Sequence, residues 1–194
     1  MTRILEADQS LAIELQPVTA ELFCPYGDII QPADPNARMV NAGTAVRHDI
    51  SEFAADLRPA SRLIASVFET RAQYLPVTAT LVERHRFSQQ AIVAMQGGRF
   101  ILAVCLPRAD GTPDLGTLKA FLFPGGSGAI YRQGIWHAPI IGLDQESRFF
   151  VQSWQDNSAE DCEELEITPH LIAVGNCHNP HSVTSVGSDR IARA

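Results

Sequence analysis

Short apolar runs separated by glycine- and proline-rich turns make up most of this chain, and that spacing constrains its fold more than any other feature. Pro107–Pro113 and Phe123–Gly128 are strong turn signals. Strands are expected at Ala12–Pro17 (as an edge strand), Gly27–Gln31, Val77–Phe87, Ala91–Met95, Arg99–Leu106, Leu118–Phe123, Ala129–Arg132 and Ser147–Trp154. Arg62–Phe68 fits helix or strand by periodicity, and strand is preferred. Thr19–Gly27 reads as a helical turn or two, with Thr19 as N-cap and Gly27 closing it. Many strands at such spacing point to an all-β antiparallel barrel or sandwich with a few short helices. No internal repeat is evident. Periodicity is lost after Pro169, so one domain over residues 1–169 and an extended or disordered tail over 170–194 are expected.

Composition narrows the function. Hydrophobic residues are 45% and charged ones 19% of the 194, which suits a globular core rather than disorder. A net charge of −7 argues against nucleic acid as a partner. The longest apolar stretch, Phe100–Leu106, is too short to span a bilayer, and Met1–Asp8 lacks a secretory apolar run. Cys24, Cys105, Cys162 and Cys177 show no ligand or disulfide spacing, so a reducing cytoplasm is expected, with Cys105 a buried thiol.

Two segments carry the chemistry. In the first, Leu81–Gln89, strand alternation puts Glu83, His85 and Phe87 on one side and Arg84 and Arg86 on the other. An inward carboxylate beside an imidazole is costly unless paired, protonated or bound to something. The second, Gly125–His137, ends on His137, with Trp136 on the opposite face as packing. Lys119 alternates with Phe121 and Phe123, an unusual place for an ammonium, and is the preferred cation for a substrate carboxylate. Arg132 and the other strand arginines compete with it. His48 beside Asp49 is either a pocket-edge acid or base or an idle loop residue. His170, His178 and His181 fall in the tail, where no chemistry is expected.

These segments resemble the paired motifs of the cupin barrel, a jelly-roll fold. Glu83 and His85 stand where a metal-binding His-x-His is expected, Gln89 replaces its Glu, and Gly97 closes the motif. Gly126, Gly134 and His137 keep the spacing of the second motif, with Arg132 in place of its proline. Tyr26–Ile30, Glu83–His85, Gln89–Ala91, Pro113–Leu115, Lys119–Phe121 and Ile135–Pro139 resemble the ureidoglycolate lyase family of allantoin degradation, over roughly Ile13–Pro169. The loop Asn41–Pro59 and the tail depart from it.

The resemblance implies a homodimeric cupin-type enzyme that splits ureidoglycolate into glyoxylate and urea. It implies a divalent metal, nickel being usual, and no organic cofactor. His85 and His137, with Glu83 and Gln89, are the expected ligands, because imidazole suits borderline divalent ions and the other two add oxygen. His137, His85, Glu83 and Lys119 are then the catalytic candidates, and His48, Gln89 and Arg132 the substrate-binding ones. Without a metal, His137 would take the substrate's hydroxyl proton directly, with Glu83 orienting or relaying. The alternatives are a ureidoglycolate hydrolase releasing ammonia and a non-catalytic module that binds small acids.

Overall fold

A computed structural model describes residues 11–32 and 37–175. The first ten residues, positions 33–36 and the predicted tail from 176 onward, with Cys177, His178 and His181, lie outside the described residues.

The chain is all-β, as its punctuation indicates. It runs β1 (Ala12–Pro17), α1 (Ala20–Phe23), β2 (Gly27–Ile30), β3 (Ala37–Val40), β4 (Ala45–His48), β5 (Arg62–Thr70), β6 (Val77–Arg84) and β7 (Gln90–Gln96). It continues with β8 (Phe100–Cys105), β9 (Lys119–Phe123), β10 (Gly128–Tyr131), β11 (Trp136–His137), β12 (Ile141–Gly142), β13 (Ser147–Gln155) and β14 (Glu163–Ala173). β11, β6, β14, β1, β9 and β8 pair in that order, and β11 pairs back to β8, so six strands close into a barrel. A second sheet, ordered β2-β10-β7-β13-β5, packs against one wall of it, and β3–β4 form a separate hairpin.

Two cores result. Leu15, Val77, Ala79, Ile101, Ala103, Cys105, Ala120 and Ile172 share the first, within the closed barrel. Its many small side chains are what so narrow a barrel can hold. Phe100, Leu102, Val104, Phe121 and Phe123 turn the other way and meet Ile92, Ala129, Tyr131, Phe149 and Val151 of the second sheet. β8 is therefore a wall with a core on either side. That is why all six of its residues are buried and its sequence shows no polar alternation. Phe100 stacks on Phe123 at 5.1 Å and meets Phe149 edge-on at 5.1 Å, locking the two layers together.

Four expectations are corrected. β1 is no edge strand: it pairs in parallel with both β14 and β9, because Leu15 is needed inside the barrel. Thr19 caps α1, its hydroxyl accepting from the Leu22 N–H at 3.2 Å, but Gly27 does not close that helix. It opens β2, where a Cβ would lie 2.0 Å from the Ile130 carbonyl oxygen. Only glycine lets β2 approach β10 so closely. β6 stops at Arg84, short of Phe87. Finally, β14 was not foreseen, and it carries four residues past the expected boundary at Pro169. Pro169 falls where the β14–β6 register shifts, between Glu166 and His170, and a bulge tolerates a residue with no N–H to donate. His170 is thus a buried strand residue opposite Ala79, its Nδ1 donating to the Thr168 carbonyl at 2.6 Å.

Candidate active site

At one end of the space between the sheets, Glu83 of β6 is the register partner of His137 of β11, which in turn faces Val104 of β8. Directly paired residues share a face, so both side chains leave the barrel wall toward the second sheet. His85 arrives differently from the alternation argument. It lies beyond the end of β6, where its carbonyl accepts the Gly134 N–H at 2.9 Å and so ties this turn to the one before β11. Its ring centroid is 5.4 Å from that of His137. Phe87, expected on the same side, instead lies under the Arg58 guanidinium at 4.5 Å.

The hydrogen bonds fix the state of each ring. His85 Nδ1 donates to the Asp161 carbonyl at 2.7 Å, leaving a lone pair on Nε2, to which the Gln90 amide donates at 2.7 Å. His137 Nδ1 donates to the Ile135 carbonyl at 3.1 Å, so Nε2 is the ring nitrogen turned toward Glu83. That Nε2 is buried and has no hydrogen-bond partner among the described residues. Glu83 Oε1 is 3.3 Å away but too poorly aligned to count as one. A proton or a cation between this nitrogen and the carboxylate would satisfy both. Beside them, the fully buried Tyr131 ring lies tilted against His137 with centroids 4.3 Å apart, and its hydroxyl also lacks a partner among the described residues. Cys162 completes the surroundings, its Sγ 3.7 Å from Glu83 Oε2.

Electrostatics follow from burial and neighbours. Burial pushes the Glu83 carboxyl up, but contact with His137 and the other imidazole outweighs it, and the group is held below its ordinary value. Burial, then the second imidazole, lowers His85, so its ring is neutral. Burial, then the Glu83 charge, raises Tyr131 well above its ordinary value and pushes Cys162 up to about 12, keeping both protonated. No ion pair among the described residues brings a lysine or arginine to Glu83.

Glu83, His85 and His137 offer ligand atoms within 4.8 Å of one another. Two imidazole nitrogens and a carboxylate suit a borderline divalent ion, and the unpartnered Nε2 facing Oε1 is the arrangement such an ion would relieve. A pocket of about 280 Å³ reaches the cluster, lined by Phe68, Glu69, Thr70, Glu83, Gln90, Pro139 and Ile140.

The other candidates do not converge here. Gln89 turns away, its side-chain carbonyl accepting the Ala54 N–H at 2.9 Å; Gln90, one residue on, takes the inward place because β7 begins there. Lys119 shares the face of Val104 and His137 but stands three strands from Glu83, about 14 Å at ordinary strand spacing. Arg132 is exposed and bonds the Cys24 carbonyl. His48 lies on the β3–β4 hairpin, opposite Ala37. Trp136 packs inside the barrel as expected, donating to the Gly111 carbonyl at 2.9 Å. Gln90, Tyr131, Asp161 and Cys162 were missed. Gln90 was visible only as the second of two adjacent glutamines, and Tyr131 as an aromatic at a strand end, which reads as packing.

Comparison with known proteins adds the decisive observation. The family model described as ureidoglycolate lyase matches residues 10–174, most of the chain. This chain belongs to the ureidoglycolate lyase family. Relatives named ureidoglycolate lyase include those of Pseudomonas putida (strain W619) and Pseudomonas fluorescens (strain Pf0-1). The first is 29% identical over 84% of this chain and 96% of its own length, the second 30% identical over 81% and 98%. Among solved structures, RmlC from Streptococcus suis overlaps with a TM-score of 0.39 at 13% identity, covering 51% of this chain and 47% of its own. Bacillus subtilis oxalate decarboxylase gives 0.35 at 11% identity, covering 54% and 24%. In this ureidoglycolate lyase family member, the matched span takes in every residue of the Glu83–His85–His137 cluster and both cores.

Proposed function

We propose that this protein cleaves ureidoglycolate into glyoxylate and urea at the Glu83–His85–His137 cluster. One observation carries the reading: an unpartnered imidazole nitrogen, facing a carboxylate, in a buried cluster that a pocket reaches. The substrate is a carbon bearing a hydroxyl, a carboxylate and a urea nitrogen. Removing the hydroxyl proton turns that carbon into an aldehyde and expels urea, whose nitrogen takes up a proton. Where no ion is held, His137 Nε2 takes the hydroxyl proton directly and Glu83 orients or relays it, positioned proton transfer being worth about 10²–10⁴-fold. His85 is held by the Asp161 carbonyl in the tautomer that turns Nε2 inward, and the Gln90 amide, which donates to that Nε2, would yield its place to a bound ion.

Glu83, His85 and His137 would hold a divalent ion, which we assign as nickel. Such an ion would polarise the hydroxyl and offset the substrate's negative charge. Lys119, Arg132 and His48 lie outside the cluster, so they act on substrate only at longer range or on approach. We place the enzyme in the cytoplasm as a homodimer within allantoin degradation. The free thiols of Cys24, Cys105 and Cys162 suit a reducing compartment. The outer face of the five-stranded sheet presents Leu63 and Val67, 45% and 57% exposed, beside the Glu69–Arg148 ion pair, and suits a second copy.

Supplying ureidoglycolate and measuring urea and ammonia separately tests the reading. Urea stoichiometric with glyoxylate is expected. Ammonia in its place would indicate hydrolysis, and binding without turnover a non-catalytic module.

A further inference from the structure

Buried polar groups without partners are rare, because each costs the free energy of its lost hydration. Three occur among the described side chains, and two of them, Tyr131 Oη and His137 Nε2, belong to rings whose centroids lie 4.3 Å apart. Nδ1 of His137 is engaged by the Ile135 carbonyl, so Nε2 is the ring atom left to meet a ligand. Tyr131 presents an O–H, in a setting that disfavours its ionisation. A buried phenol O–H with no acceptor in the protein is a donor for an oxygen that a ligand brings in. Tyr131 is also placed with care: it is the register partner of Gln90, which lines the pocket, and of Gly27, whose missing Cβ lets β2 press β10 inward.

We propose that Tyr131 contacts the substrate, its O–H donating to the hydroxyl oxygen on the carbon next to the carboxylate. This rests on the lyase reading only in naming ureidoglycolate; the recognition itself extends to 2-hydroxy acids. The same bond strengthens as that oxygen loses its proton to the Glu83–His137 pair and becomes the aldehyde oxygen, so Tyr131 assists turnover as well as binding.

Glycolate and acetate differ only in the hydroxyl, and their affinities for the intact protein, by calorimetry, test the contact without requiring turnover. Wild-type protein is expected to prefer glycolate by about tenfold, and Tyr131→Phe to reduce that preference below about threefold. The thermal midpoint of Tyr131→Phe should be unchanged or higher, because the hydroxyl removed has no protein partner. Its kcat/KM for urea release should fall by about 10²-fold or more. Equal affinities in the wild type, or a preference that survives in Tyr131→Phe, would overturn the proposal. So would a Phe variant that fails to fold, since an unpartnered hydroxyl cannot be what holds the fold. Absence of urea release by the wild type, with the glycolate preference intact, would instead remove the lyase reading and leave the hydroxyl contact standing.

Discussion

Gln89 and Gln90 are neighbours in the chain with separate tasks, and only one touches an imidazole. Gln90 donates to His85 Nε2, whereas Gln89 fastens the backbone of Ala54. Replacing Gln90 with alanine removes the donor that holds the inner nitrogen of His85 and should lower kcat/KM about 10–100-fold, as loss of a partner that positions a site histidine does. Gln89→Ala should leave kcat/KM within about threefold, and steady-state kinetics of the pair separates the two. His85 also makes stability depend on pH. Burial lowers its pKa below the ordinary 6.5, so an unfolded chain binds that proton first. The stability gained by keeping the ring neutral is complete above about pH 6.5 and is lost as pH falls below it toward the folded value. Glu83, also lowered, adds stability that is present above its ordinary 4.5 and lost below. Denaturant midpoints should therefore fall between about pH 7.5 and 5.5, and His85→Gln should flatten that fall. Glu83 and both histidines were legible in the sequence because motif spacing marks them. Gln90 was not, since alternation cannot say where a chain re-enters register after the turn that begins at His85.

Two irregular segments are joined at the element scale by one guanidinium. Arg58 reaches Asp56 at 2.6 Å, Asp161 at 2.7 Å and Asp156 at 2.9 Å, with its side chain only 14% exposed. Hydrogen bonds to Arg58 hold the Asp56 carboxyl down to about 2. The same Asp161 whose carboxylate meets Arg58 lends its carbonyl to His85, so the loop before β5 and the loop before β14 are both fastened beside the cluster. Arg58→Met leaves three carboxylates together without their cation, and removing one partner of such a buried network costs about 3–5 kcal/mol. Guanidinium unfolding should register that loss, and limited proteolysis should find new cuts near residues 56–61 and 156–161. None of this was visible beforehand. Ion pairs form between residues about a hundred positions apart, and the sequence marks neither end. β14 was hidden for a related reason: Glu163, Glu164 and Glu166 with Pro169 look unlike a strand until β1 and β6 enclose them.

At the scale of the whole molecule, the described residues form a closed barrel backed by a second sheet and leave one broad face of that sheet uncovered among themselves. Leu63 and Val67 of β5 are exposed beside Phe150 and Trp154 of β13, their register partners being Trp154 and Phe150. A charge there should oppose association of two copies. Val67→Asp is expected to give a monomer by size-exclusion chromatography with light scattering, and the unaltered protein a dimer. A dimeric Val67→Asp would move the interface elsewhere. The all-β class was legible because turn residues cut the chain at strand lengths. That β8 serves two cores was not, because a run of six apolar residues looks the same with a core on one side or two.

The central claim is that His137, from beyond the β10 turn, and Glu83, from β6, meet to perform one proton transfer. Its most direct test is the turnover number of folded His137→Ala protein on ureidoglycolate, with urea measured. A fall of about 10²–10⁴-fold at an unchanged circular dichroism spectrum is the predicted result. Urea release at the wild-type rate by that folded variant would contradict it.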